Sequence, residues 1–162
     1  MGDRIIHGAT STELSRKDTE KTLLHTILTR RVIGALFDVF RELGYGYQEK
    51  YYQRALAKRF SELGLKYVRE QMLPLKFHQQ IIGRYFVDFV VDGRLVVELK
   101  VSSGFFEANV NQVLGYLKAS GLDLGLLAIF TPQGVKVRRI IETKNSVPFR
   151  DNSMEVAHLE TI

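Results

Sequence analysis

The chain has 162 residues, a formal net charge of +5 and no cysteine. That length suits one domain with a proper core, and the missing thiols exclude disulfides, thiolate nucleophiles and cysteine-based zinc sites. The basic excess favours polyanionic partners. No apolar run approaches transmembrane length, and the N-terminus lacks a signal-peptide core. The absence of cysteine also fits a reducing compartment, so the expectation is a cytoplasmic protein without a membrane partner.

Residues 1–20 are polar and without sustained apolar periodicity, which predicts a flexible N-terminal arm. From about residue 21 to Leu43, the residues Leu24, Ile27, Leu28, Ile33, Leu36, Phe37 and Phe40 recur at three- and four-residue steps. That spacing predicts a helix, ended by Gly44-Tyr-Gly46 as glycine ends helices. A second helix is predicted from about Gln48 to Leu63, with Tyr52, Leu56, Phe60 and Leu63 on its inner face. Glu49, three residues before Tyr52 and seven before Leu56, falls on that same face, an unusual place for a carboxylate.

Residues 65–79 read as a strand of mixed polarity, in which Pro74 marks an edge strand or a bulge. Residues 84–100 read as two strongly apolar strands joined at Asp92-Gly93. A helix follows from about Phe105 to Ala119, with Val113, Leu114 and Leu117 as its apolar positions. The run Leu124–Phe130 is continuously apolar, as in a buried strand. Pro132-Gln-Gly134 turns the chain into a last strand, Val135 to Ile141, which carries Lys136, Arg138 and Arg139. Residues 145–162 form a polar tail, leaving one domain over residues 21–144. The order α-α-β-β-β-α-β-β predicts an α/β fold in three layers, helices flanking a central mixed sheet.

Three charged residues, Asp88, Glu98 and Lys100, interrupt the strand pair where a sheet normally carries Val or Ile. Burying a charge is costly unless it is paired or bound to a metal. Two carboxylates about 4 Å apart repel by roughly 4 kcal/mol at an effective dielectric near 20, and a divalent cation turns that repulsion into binding. Mg²⁺ takes oxygen ligands and keeps several waters, so two carboxylates and a substrate phosphate suit it. The pattern therefore points to metal-assisted phosphodiester chemistry, with Lys100 holding the attacking water or neutralising charge on the phosphorane.

Strand parity sets a condition. Glu98 and Lys100 share a face because they are two apart. A plain two-residue hairpin at Asp92-Gly93 pairs Val91 with Arg94 and sets Asp88 against Val97, turning Glu98 to the opposite side of the sheet. A metal site requires an odd-numbered loop, such as a three-residue loop with Gly93 left-handed, or a bulge near Asp88. The plainer alternative keeps Asp92-Gly93 as a simple turn and the three charges as solvated. His7, His25, His78 and His158 show no metal-ligand spacing. Ser102-Ser103-Gly104 reads as a cap for the following helix.

Asp88 followed ten residues on by Glu98-Leu-Lys100 resembles the PD-(D/E)xK nuclease signature. Gly46-Tyr-Gln-Glu49-Lys-Tyr-Tyr52 resembles the motif of the GxxExxY proteins, a branch of that superfamily, and Gln112-Val-Leu-Gly-Tyr116 resembles its glutamine-bearing helix. The resemblance spans about residues 24–141 and implies a restriction-endonuclease-like core. It implies Asp88 and Glu98 as ligands of Mg²⁺, with Mn²⁺ as a substitute and the Leu99 carbonyl as a third ligand. Lys100 is then the catalytic lysine, Glu49 the first-helix acid that completes or orients the metal shell, and Gln112 a contact to ligand, water or substrate backbone. Two departures stand out: Val87 replaces the proline before Asp88, and Gly44-Tyr-Gly-Tyr-Gln48 replaces a Gly-Pro-Gly turn.

Two functions follow. One is a Mg²⁺-dependent nuclease acting on DNA in preference to RNA. The other is a non-catalytic nucleic-acid- or protein-binding module on a nuclease-like fold, since fold does not fix function. An accessory domain of a larger assembly and a homo-oligomer both stay open.

Overall fold

The structure, a computed structural model, describes residues 11–142. The first ten residues of the expected arm and the expected tail lie outside the described residues. Helix α1 spans Ser11–Leu43, so the arm reading is corrected for residues 11–20, which are helical. That stretch is rich in Glu, Lys and Arg, which are good helix formers. Among its described side chains, Arg16 and residues 18–20 are exposed, so these impose no apolar period.

Helix α2 spans Glu49–Glu62 and buries Tyr52, Leu56, Ala57 and Phe60. Arg59 on α2 ties it to α1, its Nε and Nη2 donating to Asp38 Oδ2 at 2.9 and 2.7 Å. Five strands follow: β1 (Tyr67–Phe77), β2 (Gln80–Val91), β3 (Leu95–Val101), β4 (Leu124–Thr131) and β5 (Gly134–Ile141). Helix α3 (Glu107–Ser120) connects β3 to β4. The sheet order is β1-β2-β3-β4-β5. β3 and β4 run parallel and every other pair is antiparallel.

The sheet is covered on both faces. Val32, Leu36, Leu56 and Phe60 from α1 and α2 pack with Phe89, Val97, Leu126 and Phe130 on one side. Val113, Tyr116 and Leu117 from α3 pack with Val90, Val96, Leu127 and Ile129 on the other. Residues of β4 alternate between the two clusters and are buried throughout, which explains the unbroken apolar run. The expected three-layer α/β core, restriction-endonuclease-like with a mixed sheet, is the observed one. Among the described residues no helix is long and apolar enough to cross a membrane.

Pro74 sits in β1, an edge strand, and the register with β2 shifts between Leu75 and Lys76, so both roles expected of that proline are present. The strand expected to begin at Arg84 begins at Gln80. His78 and Gln79, at φ 45° and 66°, make the turn between β1 and β2. Neither is glycine or asparagine, so the usual signal of a tight hairpin is missing. The loop before α3 also differs from expectation. Ser102 Oγ bonds within the loop, to the Gly104 carbonyl at 3.2 Å and the Gly104 N–H at 3.4 Å. Phe106 occupies the N-cap of α3 without a side-chain cap.

Candidate active site

The β2–β3 connection meets the parity condition. Val91 pairs with Leu95, Val90 with Val96 and Phe89 with Val97, leaving a three-residue loop of Asp92, Gly93 and Arg94. Extended by one position, this register sets Asp88 opposite Glu98. Gly93 is left-handed at φ 64°, and so is Asp92 at φ 52°. The loop is thus an i+3 turn, closed by Arg94 N–H donating to Val91 O at 3.0 Å, with Arg94 as the extra residue. Aspartate is among the few non-glycine residues that tolerate this region.

The backbone is also irregular at Asp88. Residues two apart on a regular strand share a face, yet Val87 packs on the α3 side and Phe89 on the α1–α2 side. Across the ladder, Arg69 pairs with Phe89 and Gln71 with Val87. Glu70 lies between them, opposite Asp88, with φ 48°. The reversal of facing is centred on the aspartate.

Beyond Phe89 and Val97 the β2–β3 pairing stops, although β3 continues to pair with β4 through Val101. Carboxylates fill the opening. Asp88 Oδ2 accepts the Leu99 N–H at 2.8 Å, and Glu98 Oε2 lies 3.5 Å from the Asp88 N–H. Buried backbone donors need acceptors, and here side chains take the place of the missing strand bonds. The Leu99 carbonyl, on the same side of the strand as its N–H, faces this opening too.

Helix α2 and the strand itself complete the cluster. Lys100 Nζ donates to Glu98 Oε1 at 2.7 Å and stands 3.8 Å from Glu49 Oε1 on α2. Gln53, one helical turn beyond Glu49, donates to Asp88 Oδ1 at 2.8 Å and reaches Glu49 Oε1 at 3.5 Å. Glu49, Asp88, Glu98, Leu99 and Lys100 therefore meet in one place. Gln112 makes no hydrogen bond to them among the described residues: its amide donates to the Tyr116 hydroxyl. Tyr116 in turn feels the charges of Glu98 and Asp88.

Burial governs the protonation of this cluster. Glu98 is only 2% exposed. Burial first, and the nearby Asp88 charge second, push its carboxyl up to about 7, against the pull of Lys100. Burial likewise raises Asp88, opposed by the Leu99 N–H, Lys100, Gln53 and Arg69. Glu49 is raised by burial and by Asp88, with Lys100 pulling it down. Burial lowers Lys100, but its hydrogen bond to Glu98 and the surrounding acids outweigh that and leave its ammonium above the usual lysine range. This is a set of acids gathered against their own repulsion and held by one lysine.

The sequence profile of the PD-(D/E)XK nuclease superfamily matches residues 26–140. The chain belongs to the PD-(D/E)XK nuclease superfamily. The match covers most of α1 and every later element, so it takes in the whole acid-lysine cluster. No curated protein matches the chain. Among solved structures, "Crystal structure of SSO0001" is similar over 74% of this chain and 79% of its own, with 12% identity and a TM-score of 0.44.

For a member of this superfamily, the donors suit a hard divalent cation. Among the described residues no group of three or more His, Asp or Glu forms a ready-made metal cluster. Mg²⁺ does not require one, since it is held by one or two carboxylates and keeps waters and substrate phosphate for the rest. Asp88 and Glu98 supply two such carboxylates, with hard oxygen atoms and strongly unfavourable mutual charge.

Sequence reasoning missed Gln53 as the residue that fixes Asp88, though a signal was present: it lies four residues after Glu49, on the same helical face. Tyr52 is a core residue, as its place on the inner face predicts, and its hydroxyl is hydrogen-bonded. It donates to Gly44 O at 2.7 Å and lies 3.4 Å from the Tyr47 N–H. Its ring stacks on Phe130 at 4.2 Å. These contacts hold the turn that leads into Glu49.

Proposed function

We propose that this chain is a Mg²⁺-dependent nuclease, with Mn²⁺ as a working substitute, hydrolysing phosphodiester bonds of DNA in preference to RNA. The observation that carries the reading is the opening between β2 and β3. Asp88 and Glu98 converge there with Lys100 and Glu49 instead of a continued ladder. The superfamily itself implies a nucleic-acid substrate. The arrangement of Gly46, Glu49 and Tyr52, with the tyrosine bracing the turn before the acid, supports placing the chain in the GxxExxY branch.

In this reading Asp88, Glu98 and the Leu99 carbonyl hold the cation. When bound, it supplies Lewis acidity to the phosphate and to water. Gln53 orients Asp88 by donating to Oδ1, and the Leu99 N–H fixes Oδ2. The acids around Lys100 favour its ammonium form, which donates hydrogen bonds. It steadies the attacking water and the charge developing on the phosphate. Glu49 holds Lys100 from the α2 side and completes or orients the metal shell. Gln112, acting from α3 next to Tyr116, contacts the substrate backbone or a water.

Cleavage of labelled single- and double-stranded DNA and of RNA, with Mg²⁺, Mn²⁺ or chelator, tests the proposal. Metal-dependent cleavage by the wild type, lost in Lys100→Ala and Asp88→Asn, is the expected result. Cleavage unchanged in both variants would rule out this site. Nucleic-acid binding without cleavage under any metal would favour a binding module on a nuclease-like fold.

A further inference from the structure

Arg69 stands on β1 directly across from Phe89, beside the Glu70–Asp88 position where the strands reverse their facing. Its guanidinium carbon lies 5.7 Å from the centre of the Phe89 ring, so the group is held over an aromatic face. A guanidinium carries five N–H donors, and among the described residues none of those of Arg69 is hydrogen-bonded. Its Nε is buried without a partner, and Nη2 is 3.9 Å from an oxygen of Glu70, whose side chain is 75% exposed. Arg59 in the same molecule makes the contrast, with its Nε and Nη2 both bonded to Asp38.

A partly desolvated guanidinium whose Nε is buried without a hydrogen bond and whose one ion pair is a long, exposed contact to Glu70 is suited to bind an anion. The setting specifies which anion. Glu49, Asp88 and Glu98 against Lys100 leave the neighbouring cluster net negative, which repels a phosphodiester unless cations border it. A guanidinium fork matches two phosphate oxygens in one plane. The charge of Arg69 is already felt at Asp88.

We infer that Arg69 is a phosphate-binding residue, gripping a backbone phosphate of the nucleic-acid strand next to the one under attack. The inference rests on the nuclease reading of the site. It makes β1, an edge strand with no part in the acid cluster, a wall of the substrate groove.

Anisotropy titrations of fluorescent DNA at several salt concentrations, in the Lys100→Ala background, test it with Arg69→Met, Arg69→Gln and Arg69→Lys. Arg69→Met keeps an apolar stem over Phe89 and removes an unpaired buried donor, so folding is preserved, as a thermal melt will verify. The expected result is affinity about tenfold weaker for Met and Gln. The slope of log affinity against log salt falls by about one unit. Arg69→Lys restores the slope but only part of the affinity, because a point charge replaces the fork. Affinity and slope unchanged in Arg69→Met, with DNA still bound by the parent, would overturn the role of Arg69 and leave the nuclease reading standing. A wild type that neither binds nor cleaves DNA or RNA would overturn that reading, and the role of Arg69 with it.

Discussion

The two halves of β3 differ in what stands beside them. Leu95, Val96 and Val97 pair with β2 on one side and β4 on the other, and all three are fully buried and apolar. Glu98 to Val101 keep β4 but lose β2. In the first half the backbone finds its partners in neighbouring strands, and the side chains add only packing. In the second half the Leu99 N–H turns to a carboxylate, and the side chains carry charges that burial disfavours. One strand thus contains a segment built for stability and a segment held at a cost in stability, and chemistry belongs with the second.

The largest effect expected from breaking the open half is on catalysis. Lys100→Ala or Asp88→Asn should lower the initial rate of metal-dependent cleavage by about 10²–10³-fold, the loss typical of a group that stabilises transition-state charge. A second substitution separates cost from function. Glu98 has a folded-state pKa of about 7 against an ordinary 4.5, so the folded state keeps a proton that the unfolded state releases. Stability of the metal-free protein therefore falls as pH rises from about 4.5 to about 7, by on the order of 3 kcal/mol. The raised Asp88 carboxyl works in the same direction. Denaturant titrations from pH 5 to 8 should show this decline in the wild type and a flatter profile in Glu98→Gln.

Scaffold substitutions should do the opposite. A Cβ at Gly125 on β4 lies 2.6 Å from Val113 Cγ1 on α3, so Gly125→Ala overpacks the sheet–helix contact. It should cost roughly 1–3 kcal/mol in chemical denaturation, with metal affinity unchanged in the folded fraction. The smallest effect is expected at the turn before Glu49. Tyr52→Phe removes the hydroxyl bonded to Gly44 O and should cost about 1 kcal/mol, measured by the same titration.

Much of this contrast was legible in the sequence because it rests on periodicity and parity. Alternation alone required an odd loop or a bulge if Asp88 and Glu98 were to meet, and both a three-residue loop and an irregularity at Asp88 are present. The helical face shared by Glu49, Tyr52 and Leu56 placed an acid toward the core, where it meets Lys100. Less legible were features that depend on partners distant in sequence. Gln53 is informative only once Asp88 is known to sit beneath it. Arg69 looks like any charge on a mixed strand until its lack of acceptors is seen. The helical residues before position 21 and the turn at His78-Gln79 were hidden because the exposed side chains of Arg16 and residues 18–20 make no apolar stripe and left-handed residues other than glycine carry little signal. Gln112, expected to contact ligand, water or substrate backbone, bonds Tyr116 on its own helix, a partner that its position in the motif did not reveal.

The central claim is that the open half of β3 exists to bind a divalent cation, and calorimetric titration of Mg²⁺ tests it most directly. Ligand carboxylates must lose their protons, and Glu98 titrates near 7. The account predicts one saturable site at pH 8, weaker at pH 6 and accompanied by proton release, and absent in Asp88→Asn and Glu98→Gln. No binding by the wild type at either pH, or binding equal in all three proteins, would contradict it.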